Sequence, residues 1–129
     1  MENNETKETI SARRTILVVE DVESNFLLLK AIIGKTYTLL HAWNGKEAVE
    51  MYEQSQPDLI LMDIKMPEMD GLEATRIIRK VSQEIPIIAL TAFAFDDDRV
   101  KALEAGCNDY LTKPLSAPLL KETIAKYLV

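Results

Sequence analysis

LILMDIKMPEMDG, residues 59–71, is the stretch whose reading decides the fold. Leu59, Ile60, Leu61 and Met62 run without interruption into Asp63, and a proline and a glycine follow at 67 and 71. An unbroken apolar run of this length reads as a strand covered on both faces, as in a parallel sheet, because a half-exposed strand would alternate. Pro67 and Gly71 then punctuate a loop before the next helical pattern starts. A carboxylate delivered at the end of a buried strand calls for a use or a partner.

The same pattern recurs on either side. TILVV (15–19), YTLLHA (37–42), DLILM (58–62), PIIAL (86–90) and DYLT (109–112) form a set of five strand candidates, with 37–42 the weakest. Helical patterns fill the gaps between them. SNFLLLKAII stops before Gly34, a glycine placed to cap a helix. In NGKEAVEMYEQ, Ala48, Met51 and Tyr52 share one face, as do Leu72, Thr75 and Ile78 after Gly71. DDDRVKALEAG opens on acids that suit a helix N-terminus and closes at Gly106. Leu120, Ile124 and Leu128 fall four apart in the last helix. Five strand-then-helix units predict an α/β fold: one doubly wound, five-stranded parallel sheet of flavodoxin-like order 2-1-3-4-5, with helices on both faces. Residues 1–14 are polar and aperiodic and read as a disordered tail or linker remnant, leaving 15–129 as the single domain.

In open sheets of this kind the ligand site lies beyond the C-terminal ends of the strands, at the switch point between the first and third. The first strand ends in Glu20 and Asp21, the third in Asp63, the fourth in Thr91 and the fifth in Lys113. The second ends in His41 and Trp43 and is expected at the sheet edge, away from the site. Three carboxylates brought together repel one another unless a counter-charge is supplied. A hard divalent cation, Mg2+, suits oxygen ligands of this type and tolerates retained waters and a phosphate oxygen. With Lys113 as a point positive charge and Thr91 as a hydroxyl, the set fits a phosphoryl group carried on Asp63, since aspartate is a nucleophile that forms acyl phosphates.

Composition sets the outer limits. The chain has 129 residues, 47% hydrophobic and 28% charged, with a formal net charge of −6. The acidic balance speaks against direct nucleic-acid binding, which needs clustered Lys and Arg. No apolar run approaches the ~20 residues that span a bilayer, so no membrane contact is expected. The opening MENNETKETISARR lacks the apolar centre of a secretory signal, which points to the cytoplasm. Cys107, the single cysteine, has no partner for an internal disulfide and reads as a small buried apolar residue.

Taken together, ILVVED, PDLILMDIKMPEMDGLEATRIIR, PIIALTA and AGCNDYLTKPL, in that order and spacing, resemble the response-regulator receiver domain of bacterial two-component signalling. The resemblance covers nearly all the chain from Thr15 onward. It implies that Asp63 is the phosphoacceptor. Asp21, Asp63 and the backbone carbonyl of Lys65 would bind Mg2+ directly, and Glu20 through a water. It also implies that Thr91 and Lys113 hold the phosphoryl oxygens, that Pro114 follows a cis bond, and that Tyr110 is the aromatic that swings with Thr91. Glu20 stands where many members have Asp. Lys65 and Phe93 occupy positions where the family varies and the lifetime of the phosphorylated state is tuned.

The implied function is a switch that accepts a phosphoryl group from a phosphohistidine partner and hydrolyses it slowly. Phosphorylation would remodel the face of the fourth helix, fifth strand and fifth helix. Whether such a self-dephosphorylating module is counted an enzyme stays open. EDVESNFLLLK and MDIKMPEMDGLEATRIIR look more like the receivers of hybrid sensor histidine kinases than those of transcription factors. Expected partners are therefore a histidine kinase or histidine phosphotransfer protein, and output or kinase domains of the same or another chain. His41, the only histidine, lies in a strand far from any site on this reading, so the phosphodonor is external.

Residue by residue, plainer readings exist. Asp63 alone is a strand-end carboxylate capping a turn, Lys113 a solvated lysine, Thr91 a helix cap, Tyr110 a partly buried edge aromatic, and Asp96 to Asp98 a solvated helix start. The rival function is a flavodoxin-like nucleotide or flavin binding module. It would want a Ser/Thr/Gly-rich phosphate loop after the first strand, where EDVESNF supplies carboxylates instead. A degenerate receiver used only for docking is a third reading, and the intact site residues count against it.

Overall fold

The computed structural model describes residues 13–64, 69–92 and 96–128. Five strands, β1 (Thr15–Val19), β2 (Thr38–Ala42), β3 (Leu59–Asp63), β4 (Ile87–Thr91) and β5 (Asp109–Thr112), alternate with five helices. These are α1 (Glu23–Ile33), α2 (Gly45–Ser55), α3 (Gly71–Val81), α4 (Asp96–Ala105) and α5 (Ala117–Tyr127). All ladders are parallel and the order is β2-β1-β3-β4-β5, the flavodoxin-like arrangement expected. Each strand returns to the same end of the sheet through a helix, so every C-terminal end opens on one rim.

Two apolar layers hold the sheet. Leu17, Val19, Ile60, Met62, Ile87 and Ala89 point to one face, where Ala48 of α2, Ala74 and Ile78 of α3 and Ala102 of α4 cover them. Ile16, Val18, Leu59, Leu61, Ile88 and Leu90 point to the other, under Leu29 and Ile33 of α1 and Leu120 and Ile124 of α5. The unbroken apolar runs are thus explained: alternate residues serve opposite layers, and burying each large aliphatic contributes about 1.5–3 kcal/mol. The helical faces predicted around Ala48, Ile78 and Leu120 are the ones that pack.

Three strands differ from expectation by one residue, the first being β2, which starts at Thr38 and leaves Tyr37 out. β3 and β4 reach Asp63 and Thr91 inside the ladder, and Asp58 and Pro86 stay out of it. Asp58 instead uses its carboxylate to accept from the Thr15 N–H at 2.8 Å. Pro86 has no N–H to give, but its carbonyl accepts from Ile60 N–H at 2.9 Å. Arg13 and Arg14 already bond to the sheet region: Arg14 O accepts from Thr38 N–H at 2.9 Å, and the Arg13 guanidinium donates to the Gly34 and Tyr37 carbonyls.

β5 is set by a knot at its start. Gly106 adopts φ +118°, open to glycine and strained for other residues. The Asn108 Oδ1 atom accepts from the Ile87 N–H and from the Arg79 guanidinium, both at 2.8 Å, while Asn108 N–H donates to Ile87 O at 2.7 Å. Arg79 also donates to Gly106 O at 2.8 Å. The side chain of α3 thereby fixes where the strand carrying the last site residue begins.

Candidate acidic site

Glu20 and Asp21 leave the end of β1, and Asp63 is the last residue of β3, its immediate neighbour. Carboxylate oxygens of all three lie within 4.8 Å of one another. Glu20 is 1% exposed and Asp63 5%, so neither carboxylate is a solvated surface group. The Lys113 Nζ atom reaches in from beyond β5, 3.2 Å from Glu20 Oε1 and 3.1 Å from Asp63 Oδ2. The peptide bond between Lys113 and Pro114 is cis, as the resemblance implied.

Backbone pairing places these groups. Ile64 N–H donates to Leu90 O at 3.1 Å and Lys113 N–H to Thr91 O at 2.7 Å, tying the ends of β3, β4 and β5 together. Thr91 is buried at the end of β4, on the strand between Asp63 and Lys113. A cleft of about 360 Å3, lined by Asn25, Leu28, Leu115 and Pro114 among others, opens beside Glu20 and Lys113.

The charges do not cancel. Three carboxylates against one ammonium leave two negative charges. Burial first, then the hydrogen bond with Asp63 and its charge, pushes the Glu20 carboxyl above its usual range, with Lys113 opposing. Burial and then Glu20 push Asp21 up as well. Burial works against the Lys113 ammonium, but Asp63 and Glu20 outweigh it and hold its pKa above the ordinary lysine value. An all-oxygen cluster with an excess of two negative charges fits a divalent cation, which would relieve the repulsion that the lone ammonium leaves.

A pH dependence follows from these shifts. An acid whose folded pKa exceeds its unfolded value holds its proton more tightly when folded. That stability is present below the ordinary carboxylate range and is lost as pH rises through the raised value. In chelator, the thermal midpoint should therefore rise as the pH is lowered from neutrality toward the ordinary carboxylate range. Glu20→Gln should raise the midpoint at the upper pH and flatten the slope. A wild-type midpoint that drops on acidification would contradict this.

Of the residues singled out from sequence, the structure gathers Glu20, Asp21, Asp63 and Lys113 into one cluster and puts Thr91 on its rim. Tyr110 lies on β5, partly buried against the layer under α2 to α4, with the Arg99 guanidinium 6.0 Å from its ring centroid. Cys107 is buried, and desolvation pushes its thiol up. The Lys65 carbonyl, Phe93, Pro67 and the side chains of Asp96 to Asp98 lie outside the described residues. One expectation is corrected. His41 is not remote from the site, because its Nε2 atom lies 2.8 Å from the Glu20 main-chain oxygen. β2 is an edge strand as expected, but its C-terminal end is level with that of β1, with Val19 opposite Ala42.

Comparison with known proteins places this geometry. A family model described as the response regulator receiver domain matches residues 16–125. The polar-differentiation response regulator DivK of Brucella anthropi is 40% identical over 118 residues, 89% of this chain and 96% of that protein. The receiver domain of sensor histidine kinase PA1611 from Pseudomonas aeruginosa superposes with a TM-score of 0.84 at 38% identity, covering 90% of this chain and 98% of that one. That structure holds a magnesium ion coordinated in its active-site cleft. A chain of the co-crystal structure of the Saccharomyces cerevisiae histidine phosphotransfer signaling protein Ypd1 and the receiver domain of its downstream response regulator Ssk1 superposes at 0.84. It is 34% identical, and the match covers 89% of this chain and 88% of that one.

Proposed function

We propose that this chain, which belongs to the response regulator receiver family of two-component signalling, accepts a phosphoryl group on Asp63 from a phosphohistidine partner and works as a phosphorylation switch. The observation that carries the reading is the placement of Asp63, buried at a strand end, 3.1 Å from the Lys113 ammonium and within a cluster of acids. An Asp63 oxygen attacks phosphorus, the bond from phosphorus to the donor imidazole nitrogen breaks with its electron pair leaving on nitrogen, and an acyl phosphate forms. Slow attack of water on the same phosphorus returns the carboxylate and releases inorganic phosphate.

Glu20, Asp21 and Asp63 would hold Mg2+, Glu20 through a water, with the Lys65 carbonyl completing the protein ligands. When bound, the ion supplies positive charge against the phosphoryl oxygens. Lys113 takes one of those oxygens and the Thr91 hydroxyl another. The relative with magnesium in its cleft supports the choice of ion. The co-crystal with a histidine phosphotransfer protein supports the class of donor. Exposed Leu28 on α1, lining the cleft next to Lys113, offers an apolar approach for such a partner.

Phosphorylation adds roughly two negative charges and three acceptor oxygens. Thr91 turns toward them and Tyr110 follows inward, remodelling the face of α4, β5 and α5. A groove of about 470 Å3 lined by Tyr110, Leu119, Glu122 and Lys126 runs along that face and is the surface an output or kinase domain would read. The nucleotide or flavin reading is not favoured, because the first strand leads into two acids, Glu20 buried and Asp21 half-buried, where a phosphate cradle would have to be. No described helix is long and apolar enough to cross a membrane. The test is intact mass after incubation with a small acyl phosphate. A gain of one phosphoryl group in Mg2+ and none in chelator is expected; no gain in either overturns the reading.

A further inference from the structure

Both acids that β1 delivers hang on one peptide unit, the one joining Glu20 to Asp21. That unit begins at the Glu20 carbonyl, and a side chain of the neighbouring edge strand holds it. Glu20 N–H donates to Ala42 O at 3.0 Å, an ordinary continuation of the ladder. The 2.8 Å contact from His41 Nε2 to Glu20 O is not part of the ladder: His41 pairs with Val18, and its ring reaches forward past Val19. A carbonyl oxygen only accepts, so His41 must carry a proton on Nε2. The ring itself is clamped. Phe26 of α1 stacks on it with centroids 3.9 Å apart and planes at 5°, and Trp43 packs at 4.1 Å and 34°.

An imidazole held between two aromatic rings and aimed at one carbonyl fixes the plane of that peptide. Turning the plane would rotate the start of Asp21 and carry its carboxylate away from Glu20 and Asp63. We infer that His41 is a positioning residue for the acidic site, holding the Glu20–Asp21 peptide so that both carboxylates face a common cation. The inference rests on the reading of Glu20, Asp21 and Asp63 as a divalent-cation site. It reaches beyond that reading by giving the edge strand and α1 a part in metal affinity.

The test separates donor from packing. His41→Phe keeps an aromatic ring against Phe26 and lacks the N–H; His41→Gln keeps an N–H donor at similar reach. Mg2+ alone is titrated into each 129-residue protein by isothermal calorimetry, with thermal unfolding in chelator run alongside. The Kd for Mg2+ should weaken roughly three- to tenfold in His41→Phe and recover most of the way in His41→Gln, with metal-free midpoints close to wild type. Should His41→Phe not fold, His41→Leu, which also lacks a donor, takes its place. Equal affinity of His41→Phe and wild type overturns the inference, as does equal weakening in His41→Phe and His41→Gln, which would assign the effect to the ring. If wild type itself binds no Mg2+, the cation-site reading fails instead.

Discussion

Asp63→Asn should leave the protein folded and unable to take up a phosphoryl group. The substitution keeps the shape of the side chain and removes its nucleophilic carboxylate, so uptake should fall by at least about a thousandfold, beyond detection by intact mass. Folding is not the cause of that loss. Lys113 keeps its 3.2 Å contact with Glu20, and one of three mutually repelling carboxylates is gone. The metal-free stability should hold or rise, by on the order of 1 kcal/mol, and the thermal midpoint with it. Mg2+ affinity should weaken as well, since the excess of two negative charges drops to one. Incubation with a small acyl phosphate and Mg2+ gives the answer directly. A variant that gains the same mass as wild type would put the phosphoryl group on another residue and end the assignment of Asp63.

Gly71→Ala should be the most destabilising of the small substitutions, although alanine is a better helix former than glycine. Gly71 is the first residue of α3, and a Cβ placed there would sit 2.1 Å from the Asp63 carbonyl oxygen and 3.0 Å from the Ile64 Cα. Both obstacles are backbone, and one is the end of a fully buried strand, so neither yields cheaply. Relief requires α3 to back away, breaking the 3.0 Å bond from Gly71 N–H to Ile64 O. Overpacking together with the lost hydrogen bond should cost about 3 kcal/mol, which lowers the thermal midpoint by roughly 10 °C for a chain of this size. Urea unfolding should show a lower midpoint at unchanged slope. Because the clash is with the carbonyl of Asp63 itself, one of the three clustered acids, Mg2+ affinity should fall in the same variant. A loss of stability under about 0.5 kcal/mol would mean that the close approach is unimportant.

These two residues also mark how far the sequence could be read. The placement of Asp63 was legible because side chains carry the signal: alone it reads as a strand-end carboxylate, but no bland use also accounts for Glu20, Asp21, Thr91 and Lys113 at the ends of three other runs. Gly71 was legible only as loop punctuation. What demands glycine there is the carbonyl of Asp63, eight positions earlier, and nothing in the spacing reveals how close α3 comes to it. His41 was read as distant for a related reason. Its acceptor is a main-chain oxygen, which every residue carries and which leaves no mark in a sequence. The one usable hint was that neighbouring parallel strands ending level with each other bring their last side chains to the same rim, even at a sheet edge.

By itself, the order of apolar runs and helical faces determined the sheet, its layers and the rim where the chemistry gathers, because burial acts on side chains that the sequence names. The tertiary structure alone decided the distances: an ammonium shared between Glu20 and Asp63, a histidine bonded to the peptide between two acids, and a helix start pressed against the strand that carries Asp63. Those contacts join segments far apart in the chain, some of them through backbone atoms, and their geometry exists only once the layers have packed.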